Sequence, residues 1–218
     1  MIKTYSKGNK VKLSDHFTSK EFDCSGDGCC STTRVADALI PVLEQIREYF
    51  GNKPIVITSG YRCIVHNKLI GGSRSSYHLR GEAVDFKIAG VDPLKIAIYA
   101  DKILGDKGGV ELGSYDAGTS GYVHMDVRDK KWRAIRPDRK SFAYTTYSSM
   151  TPAVRTGMKG ACVTVLSRKL KKLGYVKKVT SSVSNELISG IKRFQKDNDL
   201  AIDGIAGSKT WNKIAEKL

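Results

Sequence analysis

Ser76-Tyr77-His78-Leu79-Arg80-Gly81-Glu82-Ala83-Val84-Asp85 sets a histidine in a turn-rich stretch and, seven residues later, a carboxylate on a segment that alternates polar with apolar. Such alternation marks a half-buried strand, and a loop and a strand can converge on one point. A second segment, Tyr122-Val123-His124-Met125-Asp126-Val127, alternates in the same way. Tyr122, His124 and Asp126 therefore share one face, while Val123, Met125 and Val127 turn to the core. Two imidazoles and one carboxylate, from His78, Asp85 and His124, make a borderline ligand set suited to Zn²⁺. Three protein ligands leave a fourth position open to water, which separates a catalytic zinc from a structural one.

Working outward, Val35, Leu39, Leu43, Ile46 and Phe50 recur at helical spacing, with Pro41 tolerable only near the first turn or at a kink. Ile55-Val56-Ile57-Thr58 reads as a buried strand ending in the turn Ser59-Gly60, and Glu82 to Ile88 as a half-buried one. Asp92-Pro93 opens a helix that runs to about Leu104, with Asp as N-cap and Pro at the first helical position. Gly109 to Gly113 and Tyr122 to Val127 read as an antiparallel pair joined by a long loop rich in Gly, Ser, Asp and Thr. The expected fold is α+β with a small antiparallel sheet.

From Arg136 to Pro152 the periodicity fades into Lys, Ser, Tyr and Thr, as in a linker. Three apolar stripes follow: Val163, Leu166, Leu170 and Leu173; Leu187, Ile191 and Phe194; Trp211, Ile214, Ala215 and Leu218. The expected organisation is a catalytic-sized domain over residues 1–136, a linker over 137–154 and a small all-α three-helix module over 155–218.

The motif S-x-H-x-x-G-x-A-x-D over Ser76 to Asp85, preceded by Ser59-Gly60-Tyr61-Arg62 and followed by the His124 strand, resembles the zinc D-alanyl-D-alanine carboxypeptidase family. That family includes L-alanyl-D-glutamate endopeptidases of phage lysins and shares its fold with the hedgehog signalling domain. Phe17-Thr18-Ser19-Lys20-Glu21-Phe22 also looks like its N-terminal segment, so the resemblance covers about residues 13 to 133. It implies a zinc peptidase acting on peptidoglycan. In such an enzyme the metal polarises the scissile carbonyl and acidifies water, and a carboxylate takes up the proton and passes it to the leaving amine.

Many relatives carry an acidic residue three positions before the second histidine, where this chain has Gly121. Asp126 is the first substitute, since residues two apart on a strand share a face about 6.6 Å apart. Its alternative role is to orient a ligand or to pair with Arg128. Asp116 and Glu111, on or near the long loop, are the other candidates. Arg62 resembles the family arginine that steadies the developing oxyanion, the alternative being a plain ion pair. Tyr61 and Ser76 are the expected substrate-binding residues. Ser76 either binds a substrate carboxylate or ties the turn before His78. His66 reads as part of a short structural helix, and His16 carries no signal.

In the C-terminal stretch, Ile191-Lys192-Arg193-Phe194-Gln195 followed by Asp203-Gly204 and Thr210-Trp211 looks like the three-helix peptidoglycan-binding domain that accompanies many wall hydrolases. The chain carries 37 Lys and Arg against 22 Asp and Glu, a formal charge of +15, which favours an acidic partner. Through residue 150 the balance is 23 to 17, and beyond it 14 to 5, so the tail is the more basic part. A basic module concentrates an enzyme at an acidic wall. Nucleic acid is not expected as a partner, because no recognition motif accompanies the charge.

Met1-Ile2-Lys3-Thr4-Tyr5-Ser6 lacks the apolar stretch of a signal peptide, and no segment approaches a membrane span. The expectation is an endolysin of a phage or prophage, made in the host cytoplasm and reaching the wall through a membrane lesion. Five cysteines, at 24, 29, 30, 63 and 162, leave an odd thiol and fit synthesis in a reducing cytosol. Cys24, Cys29 and Cys30 cluster in sequence, and a second, structural zinc there requires partners from elsewhere. The competing class is a non-catalytic, metal-containing wall-binding protein, which Gly121 permits. The scissile bond and the oligomeric state are not encoded legibly, specificity being expected in loops such as 113–121.

Overall fold

The computed structural model describes residues 1–113, 121–137 and 144–218. Asp116 and most of the 113–121 loop, together with residues 138–143 of the expected linker, lie outside the described residues. The chain divides into two units: 1–90, 102–110 and 122–131 form the first; 91–101, 111–121 and 132–218 form the second.

In the first unit, β1 (Ile2–Ser6) and β2 (Thr32–Ala36) make an antiparallel ribbon with Ile2 opposite Ala36. Val35 belongs to β2 and not to the helix it was expected to lead. Helix α1 (Leu39–Tyr49) starts four residues later and carries Pro41 in its first turn, where the missing N–H costs nothing. Its Leu39, Leu43 and Ile46 are fully buried. β3 (Ile55–Ser59) follows, then the short helix α2 (Ile64–Leu69), which contains His66 as expected. A single 3-10 turn, Tyr77–Arg80, then leads into β4 (Ala83–Ile88). That turn ends on Gly81 at φ 75°, and a Cβ there would lie 2.4 Å from the Arg34 carbonyl oxygen. Both the left-handed backbone and the close approach require glycine.

Helix α3 (Pro93–Leu104) and β5 (Gly109–Gly113) pass from one unit to the other, and β6 (Tyr122–Asp126) returns to the first. β3 pairs antiparallel with β4, with a slip between Ile57 and Ser59, and β4 pairs antiparallel with β6. Val84, Phe86, Val123 and Met125 are fully buried, as the period-two alternation of both strands predicts.

In the second unit, β7 (Trp132–Ile135) pairs antiparallel with β8 (Thr145–Tyr147), Arg133 opposite Tyr147. β8 thus lies within the stretch whose lost periodicity reads as a linker. Three residues are too short for alternation to show. Helices α4 (Ala161–Lys172), α5 (Asn185–Asp197) and α6 (Ser208–Lys217) bury Val163, Leu166, Leu170, Leu187, Ile191, Phe194, Trp211 and Ile214. The Trp211 indole N–H donates to the Pro152 carbonyl at 2.8 Å. The Lys169 ammonium, almost wholly buried, reaches both Asp92 oxygens at 2.7 and 2.8 Å. No helix among the described residues is long and apolar enough to cross a membrane.

Candidate metal centre

Register makes the first half of the site. β4 and β6 place Asp85 directly opposite His124 and Ala83 opposite Asp126. Side chains of an opposed antiparallel pair project to the same face. Asp85 Oδ1 accordingly lies 2.8 Å from His124 Nδ1. The 3-10 turn supplies the third member: His78 Nε2 is 3.1 Å from His124 Nδ1 and 3.3 Å from Asp85 Oδ1. The three atoms form a nearly equilateral triangle. Ligands about 2.0–2.1 Å from a tetrahedral zinc stand about 3.3–3.4 Å apart, so a slight expansion of this triangle accommodates the ion.

The nitrogens are presented by hydrogen bonds on their far sides. His78 Nδ1 lies 2.7 Å from the Gly60 carbonyl, which can only accept, so Nδ1 carries the proton and Nε2 is the nitrogen left free to ligate. His124 Nε2 lies 3.2 Å from Asp126 Oδ2, which assigns Nδ1 of that ring to the cluster. Asp126 is fully buried. Its Oδ1 accepts from Arg128 Nε at 2.7 Å and from the Gly109 and Arg128 backbone N–H groups at 3.0 and 3.2 Å, and its Oδ2 accepts from Arg128 Nη2 at 2.5 Å. A Cβ on Gly109 would lie 2.2 Å from Asp126 Oδ2, so glycine makes room for the carboxylate.

The charges follow from this wiring. Burial alone would raise the Asp85 carboxyl, but the two histidines outweigh it and hold it well below the ordinary carboxylate range. Burial lowers His78, against the pull of Asp85. His124 is also desolvated, yet its hydrogen bonds and attraction to Asp126 and Asp85 prevail and raise it to about 9 in the metal-free chain. For Asp126, burial is again outweighed, here by His124 and Arg128, and the carboxyl is held far down.

Asp126, expected as proton acceptor, makes the two contacts of its alternative reading, to the His124 ring and to Arg128. A carboxylate that buried, that depressed and that fully hydrogen-bonded is a weak base near neutral pH. Glu111 belongs to the second unit, where Arg136 holds it through Nε at 2.8 Å and Nη2 at 3.2 Å. Arg62 does reach the site: Nη2 is 3.4 Å from Asp85 Oδ2, and its backbone N–H donates to the His78 carbonyl at 3.1 Å. Its Nε is buried without a hydrogen-bond partner.

The expected substrate-binding residues part company. Ser76 heads the His78 turn, its carbonyl accepting from Leu79 N–H at 3.1 Å. Tyr61 packs instead with Cys24 and Cys63, drawn there by the burial of its ring. His16 pairs with Glu44 at 2.8 Å on the surface. Sequence reasoning missed the Gly60 carbonyl, a backbone group with no residue signature, and Gly109, whose role is the space it leaves. Tyr77, within the His78 turn, has the Arg80 and Arg128 guanidinium carbons 4.1 and 4.3 Å from its ring centroid.

Two histidines and one carboxylate gathered on an antiparallel sheet, in one chain with three C-terminal helices, make a candidate metal centre joined to a helical module. The chain belongs to the Peptidase M15 family, whose model matches residues 15–126 and so spans His78, Asp85 and His124. A second model, described as "Putative peptidoglycan binding domain", matches residues 159–214.

Among curated proteins the chain is 33% identical over 90 residues to "Probable peptidoglycan L,D-endopeptidase MepK" of Haemophilus influenzae, covering 38% of this chain and 45% of that one. It is 35% identical over 65 residues to the "Zinc D-Ala-D-Ala carboxypeptidase" of Streptomyces albus G, covering 29% of this chain and 26% of the relative. The chain thus spans less than half the length of these two relatives. The crystal structure of the SleB N-terminal domain matches 31% of this chain and 93% of its own at 28% identity, with a TM-score of 0.30.

Proposed function

We propose that this chain is a zinc-dependent peptidase that hydrolyses an amide bond in the stem peptides or cross-links of bacterial peptidoglycan. The observation that carries the reading is the triangle of His78 Nε2, Asp85 Oδ1 and His124 Nδ1, with sides of 3.1, 2.8 and 3.3 Å. Membership of a peptidase family and the C-terminal peptidoglycan-binding match support it.

His78, Asp85 and His124 would hold the zinc, which when bound supplies a Lewis acid for a carbonyl oxygen and for the attacking water. Gly60 and Asp126 fix the two imidazole rings. Arg62, whose Nη2 lies 3.4 Å from Asp85 Oδ2, would hydrogen-bond the negative charge that develops on a peptide oxygen. Asp126 is a positioning residue. Glu111 has both carboxylate oxygens engaged by Arg136, which leaves it poorly suited to accept a proton. The basic three-helix module holds the enzyme on its polymeric substrate, which raises the local concentration of scissile bonds.

The proposal extends to an endolysin, made in a reducing cytosol and acting on the wall after release. Five unpaired cysteines support it. Its appearance outside cells without any lysis partner would argue against that route.

The decisive experiment is digestion of purified peptidoglycan, following new amino groups and identifying products by mass spectrometry. Release of amino groups, abolished by a chelator and by His124→Ala, is the expected result. Wall binding without such release would identify a non-catalytic wall-binding protein instead.

A further inference from the structure

A second cluster of ligand-type side chains lies in the first unit, outside the centre just described. The Sγ atoms of Cys24, Cys29, Cys30 and Cys63 all lie within 4.8 Å of one another. Cys24 and Cys29 are 3.6 Å apart, and Cys29 and Cys30 3.8 Å. Four thiolates about 2.3 Å from a tetrahedral zinc stand about 3.8 Å apart, the spacing that the Cys24–Cys29 and Cys29–Cys30 pairs already have. A disulfide needs two sulfurs at about 2.05 Å and takes up only a pair. All four thiols are free.

We propose that Cys24, Cys29, Cys30 and Cys63 bind a structural zinc ion. The sequence alone offers three of the ligands, and the tertiary structure brings the fourth from 33 residues further along. Backbone N–H groups already point at two of the sulfurs, Cys63 N–H at Cys24 Sγ and His66 N–H at Cys63 Sγ, both at 3.4 Å. Such donors favour the thiolate over the thiol. The remaining thiol contacts, Cys29 to the Gly26 carbonyl at 3.2 Å and Cys63 to the Cys29 carbonyl at 3.6 Å, use S–H protons that metal binding displaces. Four soft thiolates select zinc over magnesium or calcium.

The surroundings suit a buried structural ion. Cys24 and Cys63 are nearly sealed beside Tyr61, while the half-buried Cys29 and Cys30 close the outer side. Gly26 has no room for a side chain, since a Cβ would meet Cys29 Sγ at 2.6 Å and His66 Nδ1 at 2.8 Å. Residues 23–31 form neither helix nor strand, so few ladder hydrogen bonds hold this loop. A four-thiolate ion would staple it to Cys63. Cys63 directly follows Arg62 and stands three residues after Gly60, so the staple also anchors the segment that serves the His78–Asp85–His124 centre.

The test counts metal in the full-length chain carrying His124→Ala, which disables the other centre and makes the outcome independent of peptidase activity. The expected result is one zinc per chain, surrounded in X-ray absorption by four sulfurs at about 2.3 Å. Adding Cys24→Ser or Cys63→Ser should reduce the zinc to none. A soluble His124→Ala chain with native circular dichroism but no zinc would overturn the proposal. So would zinc bound through nitrogen and oxygen alone, or a Cys24–Cys29 disulfide in anaerobically isolated protein. Should the serine variants fail to fold, the absorption spectrum of the His124→Ala chain decides by itself.

Discussion

Asp126 Oδ2 stands 3.2 Å behind His124 Nε2, and Arg128 grips the same carboxylate from its other side. Carboxylates in this position hold a ligating imidazole in orientation, and their loss costs metal affinity about 10- to 100-fold. Asp126→Asn should weaken zinc binding by about that factor, read in competition with a chromophoric chelator, while saturating zinc restores measurable turnover. Unchanged affinity with turnover abolished at saturating zinc would return the proton-accepting role to Asp126.

The raised His124 makes zinc binding pH-dependent. In the metal-free chain this ring keeps its proton up to about pH 9, whereas His78 is pushed down by burial and Asp85 is already ionised. One proton must leave for each zinc bound, so affinity should rise about tenfold per pH unit up to about 9 and then level. The stability contribution of His124 has the opposite sign. It is fully present below the unfolded value near 6.5 and is lost as pH rises through about 9. Urea denaturation of chelator-treated protein from pH 6.5 to 9.5 should show that decline. A flat profile would contradict it.

Arg62→Lys keeps a charge but loses the planar fork that can hold Asp85 while leaving a donor for substrate. Turnover should fall about 10²- to 10³-fold with zinc content unchanged. A change confined to KM would show that Arg62 serves ground-state binding instead.

Gly60 faces an unyielding neighbour. A Cβ there would lie 2.5 Å from Phe22 Cα and 2.6 Å from the Phe22 carbonyl oxygen, and backbone cannot swing aside as a side-chain tip can. Gly60→Ala should cost about 1–3 kcal/mol in thermal or urea denaturation. Zinc affinity should fall with it, because the Gly60 carbonyl sets the His78 tautomer. A variant with wild-type stability and affinity would refute both consequences.

Trp211 tests the accessory module. It is wholly buried and bonded to the Pro152 carbonyl, so it belongs to the core. Trp211→Ala should destabilise the second unit by about 3–5 kcal/mol, measured by urea denaturation. Lost wall binding at undiminished stability would make Trp211 a ligand contact.

The helices of the second unit were legible because each carries an apolar stripe of helical period, and Val163, Leu187 and Trp211 are buried where those stripes point. The pairing of β4 with β6 was half legible. Alternation showed which face His124 occupies, but not that Asp85 would be its partner. β8 and the start of α1 were misjudged for local reasons: a three-residue strand has no period, and Val35 fits the end of β2 as well as the head of a helix.

The sequence by itself determined the ligand types, their loop-and-strand setting and the pairing of a peptidase motif with a wall-binding pattern, because these reside in residue identity and short-range spacing. Only the tertiary structure decided which of these groups meet. Strand register set Asp85 against His124, the Gly60 carbonyl met His78 Nδ1, and Arg128 and His124 met on the Asp126 carboxylate. It also carried Cys63 to the other three thiols. These are contacts between residues distant in sequence, and no local pattern records them.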